Sequence, residues 1–157
     1  MEYQRFGNYI LMRADVDEEV IEAIKAVIKR ENVEFARISG IGLVSKVTLA
    51  FYHLENYEYR YNYFPGSYEI TSLQGNIMNF ADGDIHVHTH ATIADRGHRV
   101  YGGHLKSAYV GAAFEAVIDI IPGEGVHRII SERSKLPAVA FSNGIKVDCK
   151  VVRHEEQ

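Results

Sequence analysis

The sequence has few of the features that mark secreted or membrane proteins. It contains a single cysteine among its 157 residues, Cys149, so an internal disulfide is excluded. Its uninterrupted apolar runs are only a handful of residues long, whereas a bilayer-spanning helix needs roughly 18 to 20. The N-terminus lacks a basic region followed by an apolar run, and so does not resemble a signal peptide. We therefore expect a cytoplasmic protein with no membrane-spanning segment.

An excess of positive charge is also missing. The formal net charge is −4 and the isoelectric point is near 6.0. Proteins that bind nucleic acid gain much of their affinity by neutralising phosphates with a basic surface. Direct DNA binding is therefore disfavoured for this chain, and it would require a local basic patch.

The chain shows no internal repeat, no low-complexity tract and no linker rich in Pro, Gly or Ser. Its composition, with 46% hydrophobic and 24% charged residues, is typical of a folded globular domain. The length of 157 residues suits one domain. We expect a single domain over residues 1–152 and a short solvated tail over residues 153–157.

One helix is predicted near the N-terminus, over residues 17–31. Apolar residues recur there with helical spacing, and charged residues occupy the other face. Most of the remaining chain has the β-branched and aromatic composition of strands, with predicted breaks at Pro65-Gly66, Gly75-Asn76 and Gly102-Gly103. One long helix supplies too few crossovers for a parallel sheet. The predicted fold is α+β, with a mainly antiparallel sheet of about seven strands and one long N-terminal helix.

Histidine is the residue in excess, because five of the eight histidines fall between positions 86 and 104. His86, His88 and His90 alternate along a predicted strand, so their side chains share one face. Two imidazoles spaced this way can converge on one divalent ion. A third ligand from a neighbouring element would complete a three-histidine site with an open position, and His104 is the best candidate.

Two other interpretations of the histidines remain open. They could form a histidine-rich exposed strand, or they could make hydrogen bonds at a subunit interface. A metal-activated water would need a proton acceptor, and ligating histidines need hydrogen-bond partners. Glu69 is the carboxylate we select as candidate acid/base or hydrogen-bond partner, although a solvated strand residue is the alternative.

Three segments carry a resemblance to a known family: Glu69 to Asn76 (EITSLQGN), His86 to His88 (HVH) and Gly102 to Leu105 (GGHL). In this order and approximate spacing they resemble the plants-and-prokaryotes-conserved (PPC) domain, also called DUF296. The resemblance extends over nearly the whole chain, from about Tyr3 to Val151.

The resemblance implies an antiparallel sheet with flanking helices, assembled as a homotrimer. It implies a metal site in some members, which falls here on His86, His88 and His104, and zinc is the metal we expect. It also implies a fold similar to that of acetolactate decarboxylase, a zinc enzyme. Stand-alone prokaryotic members of the family are often described as candidate DNA-binding proteins.

The sequence departs from the family pattern at two points. The R-G-R-P core of an AT-hook, which reads the minor groove in plant members, is absent. His90 is not part of the pattern, so a ligand set of His88, His90 and His104 is the alternative. Our leading hypothesis is a trimer that binds a zinc-like metal with a small ligand or water in the open position. The second is a DNA-associated or regulatory interaction module with structural histidines. Whether the protein is an enzyme stays open.

Overall fold

The computed structural model describes residues 1–147. Its elements in chain order are β1 (Glu2–Phe6), β2 (Tyr9–Ala14), α1 (Val20–Glu31), β3 (Phe35–His53), β4 (Glu58–Asn79), β5 (Ile85–Ala94), β6 (Val100–Ile120), β7 (Val126–Ile130) and β8 (Pro137–Phe141). Cys149 and the predicted tail, residues 153–157, lie outside the described residues. Within residues 1–147, no helix has the length and apolar character needed to cross a membrane.

Six strands form one antiparallel sheet in the order β1-β2-β6-β3-β4-β5. An additional pairing joins β5 to β6, so that β3, β4, β5 and β6 form a closed ring of pairings. The remaining strands, β7 and β8, form a separate antiparallel hairpin. The extra β5–β6 pairing brings the histidine-bearing segments of these two strands side by side.

The predicted α+β class is wrong, because the protein is mostly antiparallel β. The described residues contain eight strands instead of about seven, and their only helix, α1, has 12 residues. The predicted long N-terminal helix and the short flanking helices are not present in this part of the chain. The antiparallel sheet itself is present as expected.

The helix is shorter than predicted because the residues before it bind to strand β6. Asp17 has a left-handed φ of 68°. Its N–H donates to the Val110 carbonyl at 3.0 Å, and the Val110 N–H donates to the Glu18 carbonyl at 2.9 Å. Glu19 then caps the helix by accepting from the Glu22 N–H at 2.8 Å. These bonds to β6 replace the first helical turn that the sequence predicts.

Strands β4 and β6 continue through the expected breaks at Pro65-Gly66, Gly75-Asn76 and Gly102-Gly103, and β3 is also long. Strands β3, β4 and β6 have 19, 22 and 21 residues. Pro65-Gly66 lies inside β4, where the register against β3 shifts between Ser45 and Val47. A bulge of this kind accommodates a proline and a glycine of φ 95° without ending the strand.

The core lies between helix α1 and one face of the sheet. The helix buries the apolar stripe that its sequence predicts, including Ile24 and Val27 at 0% exposure. Strand β5 contributes Val87, Ala91 and Ile93 to the same core. Because side chains alternate along a strand, the histidines of β5 lie on the opposite face of the sheet.

Candidate metal centre

Strand β5 presents three histidines on the face turned away from the core. His86 and His88 are half-buried and His90 is exposed, while Val87 and Thr89 between them are buried. This confirms the alternation predicted for the segment. Ring centroids are 5.9 Å apart for His86 and His88, and 5.4 Å apart for His88 and His90.

His104 joins these histidines from strand β6. It pairs directly with His90 across the β5–β6 pair, and it pairs with Ala50 of β3 on its other side. Directly opposed residues on one face of an antiparallel pair have close side chains. The His104 ring centroid accordingly lies 5.3 Å from that of His88 and 5.6 Å from that of His90.

One nitrogen from each of His88, His90 and His104 forms a compact group. These three atoms all lie within 4.8 Å of one another. Tetrahedral zinc with bonds of about 2.0 to 2.1 Å needs nitrogen atoms roughly 3.4 Å apart. Small side-chain rotations would close that difference. Among the two ligand sets considered from the sequence, this grouping matches the alternative that includes His90.

A cavity of about 200 Å³ adjoins the group. Its walls are formed by three of the histidines, two tyrosines, one lysine and part of the β7–β8 hairpin, namely His86, His88, His104, Tyr59, Tyr61, Lys106, Leu136 and Pro137. The three histidines that the sequence predicted as ligands therefore surround one cavity. The space is sufficient for an ion and a small ligand, since a water molecule occupies roughly 30 Å³ in the liquid.

The β7–β8 hairpin covers this face of the sheet and is bound to it by two anchors. The Tyr52 hydroxyl donates to the Ser134 carbonyl at 2.7 Å. Arg128, only 3% exposed, donates through Nη2 to Asn76 Oδ1 and through Nη1 to the Pro137 carbonyl at 3.2 Å. The hairpin thereby covers the cavity on one side through Leu136 and Pro137, while His90 stays exposed.

Arg128 also contacts the histidine group. Its Nη2 lies 3.4 Å from Nδ1 of His88. Within residues 1–147, no carboxylate oxygen lies within 4.0 Å of this guanidinium. Strand β7 therefore places the buried positive charge of Arg128 next to Nδ1 of His88.

The environment keeps the cavity histidines neutral. Burial lowers the pKa of His86 to about 4, with a further contribution from the charge of Arg128. Burial and the neighbouring histidines lower the pKa of His104 to about 4. Burial and Arg128 also lower the pKa of His88. Neutral imidazoles offer the lone pairs that a metal ion requires.

His104 carries a further sign of a ligand site. Its Nδ1 is buried and has no hydrogen-bond partner among the described residues. Buried polar atoms in folded proteins are nearly always satisfied, so an unpartnered one calls for an explanation. A metal ion or a bound ligand would satisfy this atom. The donor set and this orphaned nitrogen both fit a divalent metal.

Glu69, the predicted acid/base, lies away from the cavity. It pairs with Ala94, four residues beyond His90 in β5 and so roughly 13 Å along the strand. Its side chain is exposed beside the loop of residues 95–99, which also holds His98. The structure therefore brings the predicted histidines together without Glu69, whose catalytic role stays a prediction.

Several residues of the site had no clear signal in the sequence. Arg128 lies in an apolar strand, where the sequence pattern predicts that a single arginine is exposed. Tyr59 and Tyr61 belong to an alternating tyrosine run that predicts a half-exposed strand and nothing more. The hairpin residues Leu136 and Pro137 reach the site only through tertiary contacts.

The sequence model of the Plants and Prokaryotes Conserved (PCC) domain matches residues 1–122. The chain belongs to this family. The match confirms the resemblance predicted from the sequence, and it includes all four clustered histidines of β5 and β6. The β7–β8 hairpin with Arg128 lies beyond the matched residues of this PCC-domain protein. The expected likeness to acetolactate decarboxylase stays a prediction.

Solved structures of three relatives share the fold of the PCC-domain chain. One from Archaeoglobus fulgidus, described as a metal-containing protein, is 31% identical, with 87% of this chain and 95% of that chain covered and a TM-score of 0.78. A plant- and prokaryote-conserved protein from Pyrococcus horikoshii is 29% identical over 93% of this chain and 96% of that chain, with a TM-score of 0.77.

The third relative, from Bacteroides thetaiotaomicron, is named as a candidate DNA-binding protein. It is 25% identical over 90% of this chain and 98% of that chain, with a TM-score of 0.85. A comparison with curated proteins gives no match to the PCC-domain chain.

Proposed function

We propose that this protein binds one zinc-like divalent metal ion per chain through His88, His90 and His104. The observation that carries the proposal is the grouping of one nitrogen from each of these residues within 4.8 Å across the β5–β6 pair. The fourth position faces the covered cavity and takes a small ligand or water. His86 lines that cavity as a neutral side chain beside the site.

Chemistry supports a metal at this point. Three imidazoles with one open position form the ligand arrangement of catalytic zinc sites. Burial lowers the pKa of His88 and His104 and so keeps these two ligands neutral, and His104 Nδ1 lacks a hydrogen-bond partner within residues 1–147. The relative from Archaeoglobus fulgidus is described as metal-containing. Nitrogen ligands also bind nickel and copper, so metal identity needs measurement.

The protein groups around the site serve to hold and shield it. Leu136 and Pro137 exclude water from one side of the cavity, and Tyr59 packs against His104 with ring centroids 5.6 Å apart. A metal bound there would supply a Lewis acid for a small oxygen-containing ligand. Burial raises the pKa of Tyr59, so its hydroxyl remains a hydrogen-bond donor at neutral pH.

Elemental mass spectrometry of protein purified without a polyhistidine tag tests the proposal. We expect about one metal ion per chain in the wild type, and loss of that metal in His88→Ala and His104→Ala. His98→Asn is the matched control, because it removes an exposed imidazole while asparagine tolerates the φ of 60° found there. A wild type that holds no metal, and takes up none from excess zinc, would contradict the proposal.

As a second candidate we propose a DNA-associated or regulatory interaction module, since the Bacteroides relative is named as a candidate DNA-binding protein. The net charge of −4 weighs against direct binding. A gel shift at physiological salt separates the two functions. Tight and salt-sensitive binding of duplex DNA would favour this module, and no shift would favour the metal-binding function.

We also propose the homotrimer that the family resemblance implies. Light scattering during size-exclusion chromatography is expected to give about three times the chain mass of 17.7 kDa. A mass equal to one or two chains would contradict it. The same measurement on His88→Ala separates the two roles of the histidines, because a metal site predicts an intact trimer and structural histidines predict its dissociation.

A further inference from the structure

Arg128 is a buried cation that the metal proposal leaves unused. It is 3% exposed, and its hydrogen bonds go to the neutral acceptors Asn76 Oδ1 and the Pro137 carbonyl. Its Nε is buried without any partner among the described residues. Buried charges are normally paired with an opposite charge, because the desolvation penalty is otherwise uncompensated. Arg128 has no carboxylate within 4.0 Å in residues 1–147.

The cavity next to Arg128 has no negative charge on its walls either. Its lining residues include Lys106 at the exposed rim and three histidines, but no aspartate or glutamate. The guanidinium lies behind His88 and Pro137, both of which line the cavity. The exposed Asp84 acts through its charge on His86, which lines the cavity.

A divalent ion bound by three neutral histidines would add two positive charges beside this unpaired cation. Like charges repel each other more strongly in a partly buried site than in water, and this repulsion would weaken binding of the metal alone. An anion in the open position would offset the charge of the metal directly, and that of Arg128 across His88. The site is therefore built for a metal and an anion together.

We infer that the open position takes a small carboxylate, and that this anion and the metal bind cooperatively because of the charge of Arg128. The inference rests on the proposed metal site and deepens it by naming the ligand class. A volume of about 200 Å³ limits the anion to a few heavy atoms beside the ion. Leu136, Pro137 and the two tyrosine rings favour a short-chain carboxylate with an apolar end over a strongly hydrated phosphate.

Arg128 acts in this scheme as a positioning charge. Its charge attracts the anion electrostatically across His88, without direct contact between the two groups. Strand β7 supplies it from outside the region matched by the family model, residues 1–122. The preference for an anion is thus a property of the hairpin as well as of the histidine strands.

The test measures the zinc dissociation constant of chelator-treated protein by competition with a fluorescent zinc indicator, with and without acetate. The buffer contains nitrate as the background anion, and the indicator reports free zinc in each sample. We expect acetate to tighten zinc binding by at least about tenfold, because it offsets a nearby buried charge. Acetamide, which has the shape of acetate without its charge, is expected to have no effect.

Variants on the hairpin assign the effect to Arg128. In Arg128→Met, zinc binding without acetate is expected to be at least as tight as in the wild type, and the acetate effect is expected to disappear. Arg128→Lys keeps the charge and is expected to retain most of the effect. Arg133→Met removes an exposed cation from the same hairpin and serves as the matched control. Thermal unfolding establishes that each variant is folded before zinc is measured.

The outcomes separate this inference from the metal proposal. If wild-type protein takes up no zinc with or without acetate, the metal proposal itself fails. If zinc binds equally tightly in both conditions, or if acetamide acts like acetate, the metal site stands and the carboxylate inference fails. An effect of inorganic phosphate larger than that of acetate would overturn the assignment to carboxylates.

Discussion

His90 and His104 face each other directly across the β5–β6 pair, with ring centroids 5.6 Å apart. This register places the exposed His90, the last histidine of β5, beside His104, which is the only histidine of β6 in the described chain. His88 completes the group from the next position on the same face. The pairing of two strands that are distant in sequence therefore decides which histidines can share an ion.

The ligand set can be tested by comparing His90→Ala with His86→Ala. We expect His90→Ala to weaken zinc binding by more than about 100-fold, since it removes a direct ligand, whereas loss of an outer partner costs roughly 10- to 100-fold. His86→Ala is expected to keep about one metal per chain, because its ring lies on the cavity wall next to His88. Zinc titration of the two variants measures this, and metal loss in His86→Ala alone would restore the set of His86, His88 and His104.

Glu69→Gln is expected to leave the metal content unchanged. The residue pairs with Ala94 at the far end of β5, and its side chain is exposed. It therefore has no contact through which it could hold an ion at His88 and His104. Elemental analysis of the variant beside the wild type provides the check, and a metal content below half that of the wild type would show that Glu69 reaches the site.

Gly75→Ala is expected to destabilise the protein by about 1 to 3 kcal/mol. Strands β4 and β5 approach so closely at this glycine that an added methyl group would overlap the His88 carbonyl oxygen and contact Thr89. Gly102→Ala is the control, because a methyl group there meets its nearest atom, the Ala91 carbonyl oxygen, at an ordinary 3.6 Å. Urea unfolding compares the two variants. Equal free energies of unfolding for the two variants would show that the close approach of the strands at Gly75 does not limit stability.

The stability of metal-free protein is expected to fall as the pH is lowered from about 6.5 to about 4. The pKa values of His86 and His104 are about 4 in the folded chain, against 6.5 for an unperturbed histidine. Within this window the unfolded chain binds more protons than the folded one, so the free energy of unfolding decreases as the pH falls. Full stability is present above pH 6.5.

Each of these two histidines is expected to contribute about 1 to 2 kcal/mol to that loss, after allowance for their partial exposure to solvent. Urea unfolding at pH 7, 5.5 and 4.5 measures the dependence in the presence of a chelator. A His86→Gln/His104→Gln double variant is the comparison, because carboxylates that titrate in the same range remain in both proteins. Parallel pH profiles for the two proteins would refute the assignment to these histidines.

Local pattern was sufficient to predict part of the structure. The apolar stripe of α1 predicted its buried face, and the spacing of His86, His88 and His90 predicted that they share one face of a strand. The start of α1 was not predictable in this way, because Asp17 and Glu18 bind to Val110 more than 90 residues later in the chain. Hydrogen bonds between residues so far apart in the sequence cannot be predicted from a local sequence pattern.

The choice between His86 and His90 shows the same limit within the site. Both residues share the face of His88, so spacing alone treats them alike. The register that sets His90 opposite His104 depends on the closure of the sheet between β5 and β6. The place of Arg128 in the site could not be predicted from the sequence either, since its burial depends on how the β7–β8 hairpin folds over β4 and β5.

The most direct measurement is a crystal structure of the zinc-loaded protein with data collected at the zinc absorption edge. We predict one anomalous peak per chain, with bonds of about 2.0 to 2.1 Å to nitrogen atoms of His88, His90 and His104. A fourth ligand would occupy the cavity beneath Leu136 and Pro137. An anomalous map with no peak at these histidines, or with zinc only at His98 and other exposed side chains, would contradict the account.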